Sequence, residues 1–111
     1  MTRVTGSRLS PALVDRLSQH DLAGRLGVGL PLVTLDAGGR AHPMLASYLE
    51  IRAYDPGTVG LVIQSRSGSA RNLAERQTAT LMVVEPDAVV YVKLRALDGP
   101  LPVEEIGRAH V

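Results

Sequence analysis

The chain has 111 residues, 45% of them hydrophobic, with no cysteine and a formal net charge of +1. This length predicts one domain with a single core, and the near-neutral charge gives no basis for a nucleic-acid partner. Without cysteine the chain has no disulfides, thiolate metal ligands or cysteine nucleophiles, so redox chemistry requires a cofactor.

The N-terminal part, residues 1–27, is predicted to be a helical segment. Ser10 precedes Pro11, which is typical of a helix start with serine as the N-cap and proline at the first helical position. Leu13, Val14 and Leu17 then form an apolar stripe, and we expect Gly24 or Gly27 to end the element.

Residues 28–97 carry the pattern of a β protein. Strands are predicted at 30–36 and 41–54, joined by a tight turn whose Gly38 and Gly39 supply positive φ. In the second strand alternation puts Leu45 and Ile51 on one face and Met44 and Tyr48 on the other. The pattern continues with a turn at 55–57, a strand at 58–65, a helix at 69–76, a strand at 78–85, a turn at 85–88 and a strand at 89–96.

The strand at 89–96 alternates most regularly. Val90, Val92 and Leu94 lie on one side, while Tyr91 and Lys93 lie on the other. We therefore expect this strand to be central to the barrel or to its dimer face, and not a free edge. Five short strands with one interrupting helix favour a small closed or partly closed barrel. Residues 98–111 are then expected to be a tail, and either the sequence is a truncated form or the barrel is closed by a partner subunit or by the tail itself.

The segment 58–84 is the most informative part of the sequence. After an apolar strand, Ser67 and Ser69 stand where a helix begins, with Arg66 and Arg71 close by. Serine hydroxyls, first-turn amides and arginine together suit a phosphate. The same pattern also fits a connecting helix that serine merely caps, and the local residues leave both interpretations open.

The ordered string from Leu61 to Leu73, which includes Ser-Gly-Ser-Ala-Arg-Asn-Leu and is followed by the apolar run 78–84, resembles the pyridoxamine 5′-phosphate oxidase-like FMN-binding split barrels. Residues 32–45 are similar to the opening hairpin of that family. The resemblance covers about residues 28–96. It implies a mainly β fold with minor α, a small split β-barrel of five to six antiparallel strands with one or two helices, in one domain spanning residues 1–111.

FMN is the cofactor that this resemblance implies. Its phosphate and ribityl chain would lie against the second strand and the turn after the third. By position these contacts fall on Met44, Leu45, Ala46, Ser47, Gln64, Ser65, Ser67, Ser69, Arg71 and Asn72.

The chain departs from true pyridoxamine 5′-phosphate oxidases at several cations. Those enzymes carry Arg before and Lys after the second-strand contacts, and an Arg-Lys pair after the serine of the turn. Here His42-Pro43, Tyr48-Leu49 and Gly68-Ser69 occupy these places. Two or three cations are thus lost, which argues against vitamin B6 oxidation.

Two classes of function remain open. The first is a flavin-dependent oxidoreductase, with a variant that uses the deazaflavin F420. The second is a non-catalytic dimeric module that binds haem, a flavin or another small molecule. No catalytic acid or base is assigned, because a flavin carries the hydride chemistry itself.

Other ionisable residues give no convincing site. His42 is the only histidine of the barrel region, and we expect a surface or hydrogen-bonded core residue. No second ligand sits at metal spacing, so no metal site is predicted. We expect Asp15, Asp21 and the Glu104-Glu105 pair to be solvated.

The assembly and location follow from composition and from the resemblance. With no Phe and no Trp the core is built from smaller side chains, so the chain gains from pairing with a copy of itself. We expect a homodimer with the cofactor between its subunits.

No segment reaches the ~20 apolar residues of a membrane span and the N-terminus lacks a signal-peptide core, which predicts a cytoplasmic protein.

Overall fold

The computed structural model describes residues 8–19, 22–25, 27–64, 66–84, 89–96 and 106–110. They form the helices α1 (Pro11–Arg16) and α2 (Gly68–Arg76), a short 3-10 helix (Leu22–Arg25) and the strands β1 (Gly29–Leu35), β2 (Ala41–Ser47), β3 (Ile51–Asp55), β4 (Thr58–Val62), β5 (Thr78–Val84), β6 (Val89–Ala96) and β7 (Ile106–His110). The turn predicted at 85–88 lies outside the described residues.

All described strands belong to one antiparallel sheet in the order β2-β1-β5-β6-β7-β4-β3. The two end strands, β2 and β3, follow each other directly in the chain. This confirms the predicted mainly β, split-barrel fold class. The described residues form seven strands where five to six were expected, because the strand predicted at 41–54 is two strands and the tail adds another. The tail contributes β7, which pairs with β4 on one side and β6 on the other, so the sheet is completed by the tail.

The first hairpin is confirmed. Asp36 organises its turn, since Oδ1 accepts hydrogen bonds from the backbone N–H of Gly38 and of Arg40, both at 2.9 Å. Only Gly39 needs the left-handed backbone region, with φ of +78°. The hairpin sets the register of β1 and β2, which pairs Thr34 with His42.

The single strand predicted at 41–54 is wrong, because a turn at 48–50 divides it into β2 and β3. Ser47 donates its backbone N–H to Glu50 Oε1 at 2.8 Å, and its carbonyl accepts from the N–H of Glu50 at 3.0 Å. The residues that point to the core therefore have even numbers in β2 and odd numbers in β3. Ala46 is buried before the turn and Ile51 after it, while Leu49 in the turn is exposed.

The N-terminal helix begins as predicted but ends earlier. Ser10 is its N-cap and accepts a hydrogen bond from the Leu13 N–H. The predicted end at Gly24 or Gly27 is wrong: α1 ends at Arg16, and Gln19 adopts a left-handed φ of 69°. The helix packs on β3, where the Leu17 carbonyl accepts from the Ala53 N–H at 2.8 Å.

Two arginines of the N-terminal segment fix the turn that divides β2 from β3. Tyr48 is buried there, and its hydroxyl accepts a hydrogen bond from Arg16 Nε at 2.9 Å. The guanidinium carbons of Arg16 and Arg25 lie 5.8 and 5.4 Å from the centre of the Tyr48 ring. Cation–π contact therefore joins the N-terminal segment to the barrel.

The central position predicted for residues 89–96 is confirmed, since β6 lies between β5 and β7. Val92 and Leu94 are buried, whereas Tyr91 and Lys93 are exposed. The core is aliphatic apart from Tyr48, as the composition predicts, and consists of Leu9, Leu13, Leu17, Leu30, Leu32, Ala46, Tyr48, Ile51, Ala53, Val59, Leu61, Ala79, Leu81, Val83, Val92 and Leu94.

The outward side of β2, β1, β5 and β6 has two halves. One half, here called the apolar patch, consists of Pro31, Leu45, Met82, Val84, Val89 and Tyr91. The other, here called the cationic cleft, is a depression lined by the outward side chains of Val33, Leu35, Thr78, Thr80, Lys93 and Arg95.

No helix in the described ranges combines the length and the apolar character needed to cross a bilayer.

Candidate functional site

The start of α2 is a capped helix terminus. Ser67 is the N-cap, with φ of −73° and ψ of 158°, and its Oγ accepts a hydrogen bond from the Ala70 N–H at 3.1 Å. Its carbonyl accepts from the Arg71 N–H at 3.1 Å. The capping interpretation is thus confirmed, and capping leaves the hydroxyl proton of Ser67 available to a ligand.

Two first-turn amides beside that cap lack an acceptor within the helix, one on half-buried Gly68 and one on buried Ser69. Within the described residues, the backbone N–H groups of Gly68 and Ser69 have no hydrogen-bond acceptor. The first turn of α2 contains no acidic residue. Because the N-terminus of a helix carries partial positive charge, this end of α2 favours an anion.

His42 of β2 lies directly against the first turn of α2. A Cβ placed on Gly68 would be 3.0 Å from Cε1 and 3.1 Å from Nε2 of the imidazole, so glycine allows this close approach. The sequence predicts a surface or hydrogen-bonded core histidine at this position and does not reveal the contact with Gly68. The hairpin register could have indicated the contact, because it pairs His42 with Thr34. Since α2 packs on Thr34, it must also come close to His42.

The four candidate residues of β2 do not share a face. Met44 and Ala46 point to the core, whereas 71% of Leu45 is exposed on the other side. Ser47, the last residue of β2, is half-buried and donates its N–H to Glu50 in the turn that follows. Among the described strands β2 pairs only with β1, so its other backbone edge is free. A ligand could therefore contact Met44–Ala46 together only along that backbone edge.

The candidates around the α2 turn differ in accessibility. Gln64 and Arg71 are exposed, and Arg71 makes no side-chain hydrogen bond or ion pair with any described residue. Ser69, in contrast, is only 2% exposed. Ser65 lies outside the described residues, as do Asp21 and the Glu104-Glu105 pair.

Asn72 anchors α2 to the first hairpin. Its Nδ2 donates to Thr34 Oγ1 at 3.0 Å, and its Oδ1 accepts from Arg76 Nη2 at 2.9 Å. Arg76 Nε in turn donates to the Leu35 carbonyl at 2.6 Å. Asn72 and Thr34 are both buried. The Asn72 side chain therefore already has a structural role in joining helix and hairpin.

Replacing Asn72 with alanine is expected to lower the free energy of unfolding by about 1–3 kcal/mol, because buried Thr34 and half-buried Arg76 each lose a hydrogen-bond partner. Urea denaturation followed by circular dichroism measures the change. Gln64→Ala, which removes an exposed amide, is the matched control. A loss for Asn72→Ala no larger than that of the control would contradict the anchoring role.

Among the described residues, no three His, Asp or Glu side chains gather into a group that could hold a metal ion. Asp15 is exposed, as expected.

Comparison with known proteins rests on structure. No protein-family model and no curated protein sequence matches the chain. A candidate pyridoxamine 5′-phosphate oxidase from Lactobacillus delbrueckii superposes with a TM-score of 0.73 at 14% identity, covering 99% of this chain and 95% of that one. HupZ from Group A Streptococcus gives 0.67 at 13% identity, with 93% and 90% covered.

An F420 reductase is also similar, with a TM-score of 0.51, 16% identity, and 75% of this chain and 83% of that chain covered. Together these similarities show that the chain has the pyridoxamine 5′-phosphate oxidase-like split-barrel fold, as the sequence resemblance implies.

Proposed function

We propose that this chain is an FMN-binding oxidoreductase that holds the flavin phosphate at the start of α2. The observation that carries the proposal is the start of α2, where the Gly68 and Ser69 amides have no acceptor among the described residues, the first turn holds no acidic residue and Arg71 is exposed beside it. A dianion gains charge-assisted hydrogen bonds from such a set. The substrate is left open.

The residues fit a phosphate, with a smaller set of side chains than the resemblance implies. The Gly68 amide, the Ser67 hydroxyl and the Arg71 guanidinium are the accessible donors, whereas the Ser69 amide belongs to a residue that is only 2% exposed. The Ser69 hydroxyl is enclosed and the Asn72 side chain is already bonded, so we assign both to the support of the turn. His42, next to Gly68, stands in place of the arginine of the resembled oxidases and supplies an imidazole there.

The ribityl chain would follow the free edge of β2. Backbone N–H and C=O groups along Met44–Ala46 can bond hydroxyls whichever way the side chains point. Gln64, Ser65 and Ser47 stay in the proposed set as flanking residues. When bound, the flavin supplies the hydride chemistry, and the chain contributes binding and orientation.

Two alternatives compete with FMN. F420 fits the same fold, which the similarity to an F420 reductase favours. The loss of cations around the turn favours the other alternative, a non-catalytic dimeric module that binds a flavin or haem.

An absorption spectrum of the purified protein, followed by titration, tests the proposal. Flavin bands whose chromophore is released on denaturation, or saturable uptake of added FMN, support it. Uptake of F420 and not FMN selects the deazaflavin variant, and a Soret band on addition of haem without flavin uptake selects the non-catalytic module. A colourless protein that takes up neither FMN nor F420 overturns flavin binding.

A homodimer through the apolar patch belongs to the same proposal, as does a cytoplasmic location. Leu45, Val84, Val89 and Tyr91 are 71, 48, 46 and 54% exposed on one continuous sheet face, and a second copy would cover them.

We expect sedimentation at micromolar concentration to give a dimer, and Tyr91→Glu to give a monomer because it places a charge in the contact. Leu49→Glu is the control, since Leu49 is 57% exposed but lies in the turn after β2. A monomeric unmodified chain would contradict the proposed dimer.

A further inference from the structure

We propose that the cationic cleft is a second binding site, for an organic phosphate with an apolar body. The cleft lies on the outward side of β1, β5 and β6 and has a volume of about 740 Å³. Pockets that hold small molecules commonly span about 300–1,000 Å³. The site does not depend on whether the start of α2 binds a flavin.

The strand register brings the cleft residues together in two rows. Thr80 of β5 pairs with Val33 of β1 on one side and with Lys93 of β6 on the other. In the neighbouring row Thr78 pairs with Arg95. Residues two apart in a strand point the same way, about 7 Å from each other, so Lys93 and Arg95 are adjacent cations on one face.

The charge of the cleft is positive, and no described residue compensates it. No carboxylate of the described ranges lines the cleft, and neither Lys93 nor Arg95 has an ion pair within those ranges. Lys93 Nζ donates to Thr80 Oγ1 at 3.0 Å, which holds the ammonium in place and leaves the hydroxyl proton of Thr80 free to donate. Two cations flanked by hydroxyl donors suit a phosphate monoester, which is close to a dianion at neutral pH.

The remaining wall of the cleft is apolar. Val33 and Leu35 present their side chains from β1, and Leu35 is 45% exposed. An inorganic anion would leave this surface in water, whereas an aryl or alkyl group attached to the phosphate would cover it and gain free energy. The ligand class is therefore an organic phosphate and not a bare anion.

The cleft is separate from the start of α2. His42, which contacts Gly68, belongs to the inward-facing set of the hairpin, whereas Val33 and Leu35 face outward. It is the other end of α2, at Arg76, that bonds the Leu35 carbonyl. The two sites thus lie on opposite sides of the same sheet.

Phenyl phosphate is the probe for this site, in a titration of the full chain followed by amide chemical shifts. We expect saturable shifts at Thr80, Lys93 and Arg95, at lower concentration than inorganic phosphate requires, and weaker binding as salt is raised. Benzylamine, which has the same ring with the opposite charge, should cause no shifts there. Equal affinity for inorganic and phenyl phosphate would overturn the organic part of the proposal.

Variants test the two cations. Lys93→Ala combined with Arg95→Ala is expected to weaken phenyl phosphate binding about tenfold or more, while Lys93→Arg retains binding. Both side chains are exposed, so circular dichroism should stay unchanged. Arg52→Ala, which removes an exposed guanidinium from β3, is the control and should bind normally. Undiminished binding by the double variant, or shifts confined to residues outside the cleft, would overturn the site.

Discussion

Replacing Arg71 with alanine is expected to weaken FMN binding at least tenfold while leaving the free energy of unfolding unchanged. A charge-assisted contact with the phosphate contributes about 1.5–3 kcal/mol, and tenfold corresponds to about 1.4 kcal/mol. The fold should not respond, because Arg71 is exposed and has no side-chain hydrogen bond or ion pair among the described residues. Flavin fluorescence titration measures the affinity.

The controls for this experiment separate binding from capping. Ser67→Ala removes both a phosphate donor and the cap of α2, so it should cost about 1 kcal/mol of stability with or without flavin. Arg52→Ala removes a comparable charge from β3 and should bind FMN normally. If Arg71→Ala binds FMN as well as the unmodified chain does, Arg71 is not a phosphate ligand and α2 is simply a capped helix.

Replacing Leu81 with alanine is expected to lower the free energy of unfolding by about 2–5 kcal/mol. Leu81 is fully buried in β5, paired with Leu32 of β1 and Val92 of β6. The cavity would open in the middle of the sheet, where neighbours on both sides limit relaxation. In a domain whose total stability is about 5–15 kcal/mol, this is a large fraction.

Denaturant unfolding at one fixed protein concentration measures the Leu81 effect. Leu49→Ala is the matched control, because it deletes the same atoms from a side chain that is 57% exposed and should change stability by about 0.5 kcal/mol or less. A similar loss in both variants would show that the core is not centred on β5.

The helices and strands could be predicted where the residues of a short segment are enough to determine its structure. The alternation at residues 89–96 gave a strand with the bounds the structure has, and Ser10-Pro11 gave the start of α1. The division between β2 and β3 was missed, because alternation from 41 to 54 continues through the turn and both faces carry apolar residues. The turn depends on a contact between Ser47 and the Glu50 side chain that no periodicity reveals.

The candidate site was predictable only in part. A serine before a helix predicts a cap, which the structure has at Ser67. The partner of Asn72 is Thr34, 38 residues away in the chain, so local sequence could not reveal that its amide supports the hairpin. The cationic cleft likewise combines residues of three strands, and only their register makes Lys93 and Arg95 neighbours of Val33.

The place of β7 in the sheet has a consequence for how the protein is made. β4 ends at Val62 and its partner β7 begins at Ile106, so the ribosome synthesises β4 well before the strand that pairs with it. During that interval one backbone edge of β4 lacks its final partner, and such an edge can pair with another nascent chain. The sheet can close only after residues 106–110 have left the exit tunnel, so β4 depends on a strand that is made more than forty residues after it.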